Sequence, residues 1–130
     1  MTNDTTASAL NTIDNALKAG KQEAHLSPTS TTVRDTLLKL QEHTYIKVFE
    51  EVEDGRGDQF RVHLEDASIN RIKPVKPNFF VGSDEYQKWE KRHLPARGFG
   101  DLIVTTPEGV MTHEEAREQN LGGRLLGYVY

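Results

Sequence analysis

The sequence predicts an α/β (α+β) fold made of two small domains, residues 1–66 and 67–130. Three observations predict it. The apolar residues of the first 43 positions recur at helical spacing, and from Ile46 onward the spacing drops to two. Asp66-Ala67-Ser68 falls between an alternating strand pattern and a proline-bearing extended stretch, where a boundary belongs. The chain has 130 residues, 35% apolar and 28% charged, which suits one domain or two very small ones that share an interface.

The first unit reads as an N-terminal α-β-α-β-β layer. Ala9, Leu10, Ile13, Ala16 and Leu17 form the stripe of a helix over 4–19, with Asn3 or Asp4 as its cap and Gly20 in the left-handed position after its end. Residues 22–26 are extended. Ser27-Pro28 reads as an N-cap followed by proline at the first helical position, opening a second helix whose stripe is Val33, Leu37, Leu38 and Leu40 and which ends near His43. Ile46, Val48 and Val52 then alternate with polar neighbours. Phe60, Val62 and Leu64 do the same after the turn Glu53-Asp54-Gly55-Arg56-Gly57-Asp58, giving a hairpin.

The second unit reads as β-rich with short helices. Pro74 and Pro77 keep 69–77 extended. Ser83 caps a short helix running through Arg92, with Tyr86, Trp89 and His93 on one side. Leu102–Thr106 is a buried strand stopped by Pro107-Glu108-Gly109. Thr112-His113-Glu114-Glu115 is a capping box starting a helix that ends near Asn120. Gly122-Gly123 breaks the chain before a final strand, Arg124–Tyr130. Separate cores are expected, one around Leu10, Ile13, Leu37, Leu40, Val48 and Val62, the other around Trp89, Leu102, Val104, Val110 and Val129.

The formal net charge of −4 hides an asymmetry. Residues 1–66 hold 7 Lys/Arg against 12 Asp/Glu, and residues 67–130 hold 9 against 8. Within 71–97, 7 basic residues meet 3 acidic ones. Such a stretch is either a footprint for a polyanion or a solvated charged face. Runs such as Leu102-Ile103-Val104 are far short of the ~20 apolar residues that span a bilayer, so no membrane partner is expected. Met1-Thr2-Asn3-Asp4 lacks the basic and apolar regions of a signal peptide, which points to the cytoplasm. The absence of cysteine excludes disulfides and thiolate chemistry.

No catalytic constellation stands out. His25, His43, His63, His93 and His113 show no metal-ligand spacing and read as surface or helix-end residues. No nucleophile elbow, phosphate loop or dinucleotide fingerprint is present, so no enzyme, small-molecule substrate, cofactor or metal is expected. Arg56-Gly57-Asp58 spells an adhesion tripeptide, which the hairpin turn already explains.

The segment Gly100–Arg117 carries more information. It is a strand, a hydroxyl-bearing tight turn, a glycine and a capped helix, and Thr105-Thr106 offers small donors and acceptors suited to ribose hydroxyls, phosphates and base edges. Gly100, Ile103, Val104, Thr105, Thr106, Gly109, Val110, Met111 and Ala116 meet a signature with which the chain resembles the universal small-subunit ribosomal protein eight family, in its archaeal and eukaryotic form. Further landmarks follow in order: Asn15-Ala16, Gln41-Glu42-His43, Tyr45-Ile46, Lys88-Trp89-Glu90-Lys91-Arg92, Leu94-Pro95-Ala96-Arg97 and Gly122-Gly123-Arg124.

The resemblance implies a two-domain protein that binds small-subunit ribosomal RNA early in assembly and helps build the central platform. It implies contacts from Thr105, Thr106, Glu108 and Gly109 and from Gly122, Gly123 and Arg124, with Asn15 and Ser30 adding contacts from the first domain. The basic stretch adds Lys73, Lys76, Arg92 and Arg97 as phosphate contacts. Neighbouring ribosomal proteins of families five, twelve and seventeen are the implied protein partners.

Departures from that pattern are Pro107 for a serine, Glu108 for a lysine, Thr31 for a lysine and Thr44 for a glycine at a helix end that favours positive φ. Fewer cations weaken RNA binding at moderate salt, and a salt-rich cytoplasm would screen that difference. The rival reading is a small acidic protein-interaction module that keeps this fold without RNA binding.

Overall fold

The computed structural model describes residues 5–26, 30–53, 58–76, 78–96 and 98–130. The expected caps Asn3 and Asp4, the Ser27-Pro28 pair, turn residues 54–57, Pro77 and Arg97 lie outside the described residues.

The first half contributes α1 (Thr5–Lys18), β1 (Glu23–Leu26), α2 (Thr31–Glu42), β2 (Phe49–Glu53) and β3 (Asp58–His63), with the strands in order β1-β3-β2, all antiparallel. The second half contributes β4 (Ile72–Pro74), β5 (Phe80–Val81), α3 (Tyr86–His93), β6 (Asp101–Thr106), β7 (Gly109–Thr112), α4 (His113–Glu118) and β8 (Gly123–Val129). Its sheet runs β4-β8-β6-β7, and β5 also pairs with β8, beside Gly123 and Arg124.

Three helices end in the same way. After α1, α2 and α4, the N–H of Lys21, Tyr45 and Leu121 donates back to the carbonyl of Ala16, Leu40 and Ala116. The residue before each donor takes a left-handed backbone: Gly20 at φ 71°, Thr44 at φ 64° and Asn120 at φ 56°. Glycine adopts this freely and asparagine tolerates it, whereas threonine is strained there.

Several local expectations are corrected. Ser30, not Ser27, caps α2, accepting from the Val33 N–H at 3.1 Å. Ser83 does not cap α3. That helix starts at Tyr86 without a side-chain cap, because the Glu85 carboxylate turns back to accept from Gly82 N–H at 2.7 Å. β5 and β7 were not read from the sequence, since two residues and a Gly-Val-Met-Thr run are too short to show a period. The phase of β2 is shifted by one residue. Phe49 stands opposite Val62 and packs edge-on against Phe60, while Val48 is exposed, as is Leu38 on α2.

The five-stranded sheet is the centre of the molecule. One face carries Leu102, Val104, Met111 and Leu125, which pack with Val81, Tyr86, Trp89 and Ala116 beneath α3 and α4. The other face carries Ile72, Ile103, Val110, Leu126 and Val129, which join Leu10, Ile13, Leu37, Leu40, Phe60 and Val62 in one core. Val110 and Val129 therefore belong with the first half's core rather than to a separate one, and exposed Val48 belongs to neither. Apolar packing crosses the 66/67 position, although among the described residues no strand pairing does.

Candidate nucleic-acid interface

At one end of the sheet the chain changes from core to surface. Arg124 of β8 stands opposite Phe80 of β5 on one side and Thr105 of β6 on the other. Directly paired residues of antiparallel strands project to the same face. Phe80, Arg124 and Thr105 thus form a row across three strands, on the face that farther along is covered by the first half. A groove of about 530 Å³ opens there, lined by Phe80, Thr105, Thr106, Pro107 and the residues from Asn120 to Arg124. The two loops expected to meet RNA are brought together in it.

The two threonines have different duties. Thr106 is buried, and its hydroxyl donates to Gly109 O at 2.9 Å and accepts from Glu108 N–H at 3.1 Å. It closes the Pro107-Glu108 turn. Thr105 is half-buried, and its hydroxyl makes no hydrogen bond among the described residues. The glycines also have internal reasons. A Cβ on Gly123 would stand 2.3 Å from Thr105 O, and one on Gly122 would stand 2.8 Å from Val81 O. Both spaces are filled by the protein's own backbone. Gly109 is different: no atom lies within 4 Å of an added Cβ, and its φ of 118° alone calls for glycine.

The other expected contacts do not converge on this groove. Lys73 extends toward Asp14 Oδ2 at 3.5 Å, and Lys76 is exposed beyond β4. The Arg92 guanidinium sits over the Trp89 ring, 5.0 Å from its centre. Ser30 spends its hydroxyl as a helix cap, and Asn15 lies in a separate open depression of about 950 Å³ between the end of α1 and β1. Exposed Phe80 was missed by sequence reading, because a strand of two residues gives no pattern from which its outward face can be told.

Comparison with known proteins adds the family. The family model described as Ribosomal protein S8 matches residues 4–130. The chain belongs to that family. Small ribosomal subunit protein uS8 of Haloarcula marismortui is 46% identical over 128 residues, and that of Natronomonas pharaonis is 47% identical over 128, each match covering 98% of both chains.

In this S8-family chain the capping box of α4 also holds the two halves together. Glu115 Oε1 accepts from Thr112 N–H at 3.0 Å, and Oε2 accepts from the Lys39 ammonium of α2 at 2.9 Å. Burial alone would raise the Glu115 pKa, but the Thr112 N–H, Lys39 and His43 outweigh it and hold it at about 2. Glu42, His43 and Glu115 offer three possible metal-ligand atoms within 4.8 Å of one another. The Lys39 ammonium already bridges both carboxylates, at 3.3 and 2.9 Å, and supplies the positive charge that a cation would bring.

His113 stands at a helix end, as the first residue of α4, but it faces the interior and not the surface. It is 1% exposed. Its Nδ1 accepts from Leu102 N–H at 3.0 Å, which leaves the proton on Nε2 to donate to buried Glu90 at 2.8 Å. The pair fixes α3 and α4 against β6 from inside. Spacing in the sequence could not show it, because its partners are 11 and 23 residues away.

Proposed function

We propose that this chain is a structural component of the small ribosomal subunit that binds small-subunit ribosomal RNA directly and helps assemble its central domain, in the cytoplasm. Family membership over residues 4–130 carries the reading. The geometry supports a division of labour in which residues 67–130 hold the RNA and residues 1–66 back the sheet that carries the groove. The RNA-facing chemistry there is the Thr105 hydroxyl, which no described residue engages, the exposed Arg124 and the exposed turn at Pro107-Glu108. Phosphate contacts position such a protein, and contacts to ribose and base edges specify its site.

The chain acts by binding and not by catalysis. Its buried ionisable pair, Glu90 and His113, is committed to structure and opens no reaction site. Small-subunit proteins of families five, twelve and seventeen are its proposed neighbours. The acidic charge, Pro107 and Glu108 favour the rival protein-interaction module, but 46% identity to a small-subunit protein along 98% of both chains outweighs them.

The test is binding of the recombinant chain to a central-domain fragment of small-subunit RNA, titrated at several salt concentrations. Retention of the fragment with a falling affinity as salt rises is expected, and Arg124→Ala should reduce the salt slope by about one unit. No binding at any salt concentration overturns the reading.

A further inference from the structure

Phe80 is the largest unexplained feature beside the groove. Its side chain is an aromatic ring on a residue 70% exposed, more than Phe79 at 40% or Phe99 at 53%, and of these three Phe80 alone lines the groove. Leaving so much apolar area in water forgoes the stabilisation that burial would give. The ring is nevertheless well held. Phe80 sits in a strand paired to β8, and its Cζ lies 3.3 Å from where a Cβ of Gly122 would stand, so the ring rests beside bare backbone with the groove in front of it. Arg124 is its direct cross-strand partner, and no carboxylate among the described residues pairs with that guanidinium. Thr105 completes the row.

We propose that Phe80 is a stacking shelf for one unpaired base of the bound RNA, with Arg124 taking the phosphate of the same or the adjoining nucleotide. The proposal rests on the RNA-binding reading of this groove and adds the residue that selects a single-stranded feature within it. Three points fit a nucleotide better than a protein side chain. A flat ring is set beside a cation that no carboxylate among the described residues pairs with. A hydroxyl acceptor and donor stands one strand away. The groove is open enough to admit a flipped base. Stacking on an exposed aromatic is tolerant of base identity, so the shelf reads an unpaired position and not a sequence.

The test uses the full chain and the central-domain RNA fragment, with 2-aminopurine placed at each unpaired purine in turn. Wild-type protein is expected to change the fluorescence at one position. Phe80→Ala is expected to abolish that change and to weaken binding about ten-fold, as loss of one aromatic–base stack does. Phe80→Trp should keep both signals, and Phe80→Leu, apolar without a flat ring, should not. Circular dichroism and melting of all three variants should match wild type, because the side chain is exposed. Wild-type affinity in Phe80→Ala, or full rescue by leucine, overturns the shelf while leaving the groove's RNA reading intact. Phe80→Ala that binds RNA normally but fails to enter the subunit places the ring against a protein and overturns it too. Wild-type chain that binds no RNA overturns both.

Discussion

Thr44 shows how one residue carries a cost for its neighbours' geometry. The helix stop after α2 needs a left-handed residue between Gln41 and Tyr45, and a β-branched side chain fills it at φ 64°. Its hydroxyl donates to His43 O at 2.6 Å, which relieves little of the steric clash. Thr44→Gly should stabilise the protein by about 1 kcal/mol, measured as a higher urea midpoint with unchanged slope. An unchanged or lower midpoint would mean that the side chain earns its place elsewhere.

The adjacent threonines of β6 divide along the same lines. Thr106→Val removes both hydrogen bonds that close the turn, so stability should fall by about 1–2 kcal/mol and RNA affinity should fall with it. Thr105→Val removes a hydroxyl with no partner among the described residues. Melting should not change, while affinity for the specific fragment drops several-fold and binding to unrelated duplex stays the same. The sequence expectation gave both hydroxyls to RNA; adjacency cannot reveal which of two alternating side chains turns inward.

At the scale of elements, the legible features were those with local chemistry. The Thr112 capping box, the Gly20 stop and the α1 stripe are visible in the sequence because each depends on residues within one or two turns. The misplaced α3 start and the shifted β2 phase depend on partners elsewhere: Gly82 for Glu85, and Phe60 and Val62 for Phe49. In the candidate site, the two loops were legible from the family signature. Phe80 was not, since its environment is set by pairing with β8, 44 residues on.

Acid should loosen one element boundary in particular, the tie between α2 and α4. Glu115 has a folded pKa of about 2 against 4.5 unperturbed, so its stabilisation is complete above pH 4.5 and is lost as pH falls toward 2. Between those limits wild type should lose stability faster than Glu115→Gln, whose own deficit at neutral pH reflects the broken tie to Lys39. Denaturant midpoints measured from pH 7 to pH 2.5 check this. Parallel curves would show that Glu115 is not linked to folding.

On the scale of the molecule, polar ties join the halves as the shared core does. Asp14 of α1 is 1% exposed and accepts from Ile72 N–H at 3.2 Å, with Arg71 at 3.4 Å and Lys18 at 3.2 Å. Burial works against its charge, but these donors hold the pKa below the ordinary carboxylate value. Tyr45 O–H donates to Asp101 at 2.6 Å across the same joint. Asp14→Ala should cost about 2 kcal/mol, because it leaves a buried N–H without an acceptor. Cutting the backbone at Ser68 should give fragments that lose cooperative structure apart and regain it when mixed, as followed by circular dichroism. Two fragments that each fold alone would show that the shared core is dispensable.

The central position of β8 has a consequence for how the chain is made. Every strand that pairs with it, β4, β5 and β6, precedes it in the sequence. During synthesis those strands emerge with their inner edges unpaired, and neither face of the five-stranded sheet can close until Gly123–Val129 has left the ribosome. Folding therefore depends on contacts of long sequence separation that wait for β8, which slows the reaction and leaves strand edges open to association meanwhile. The same strand carries Arg124 into the groove. On the reading proposed above, a nascent chain lacking this strand would lack Arg124 and one wall of the groove.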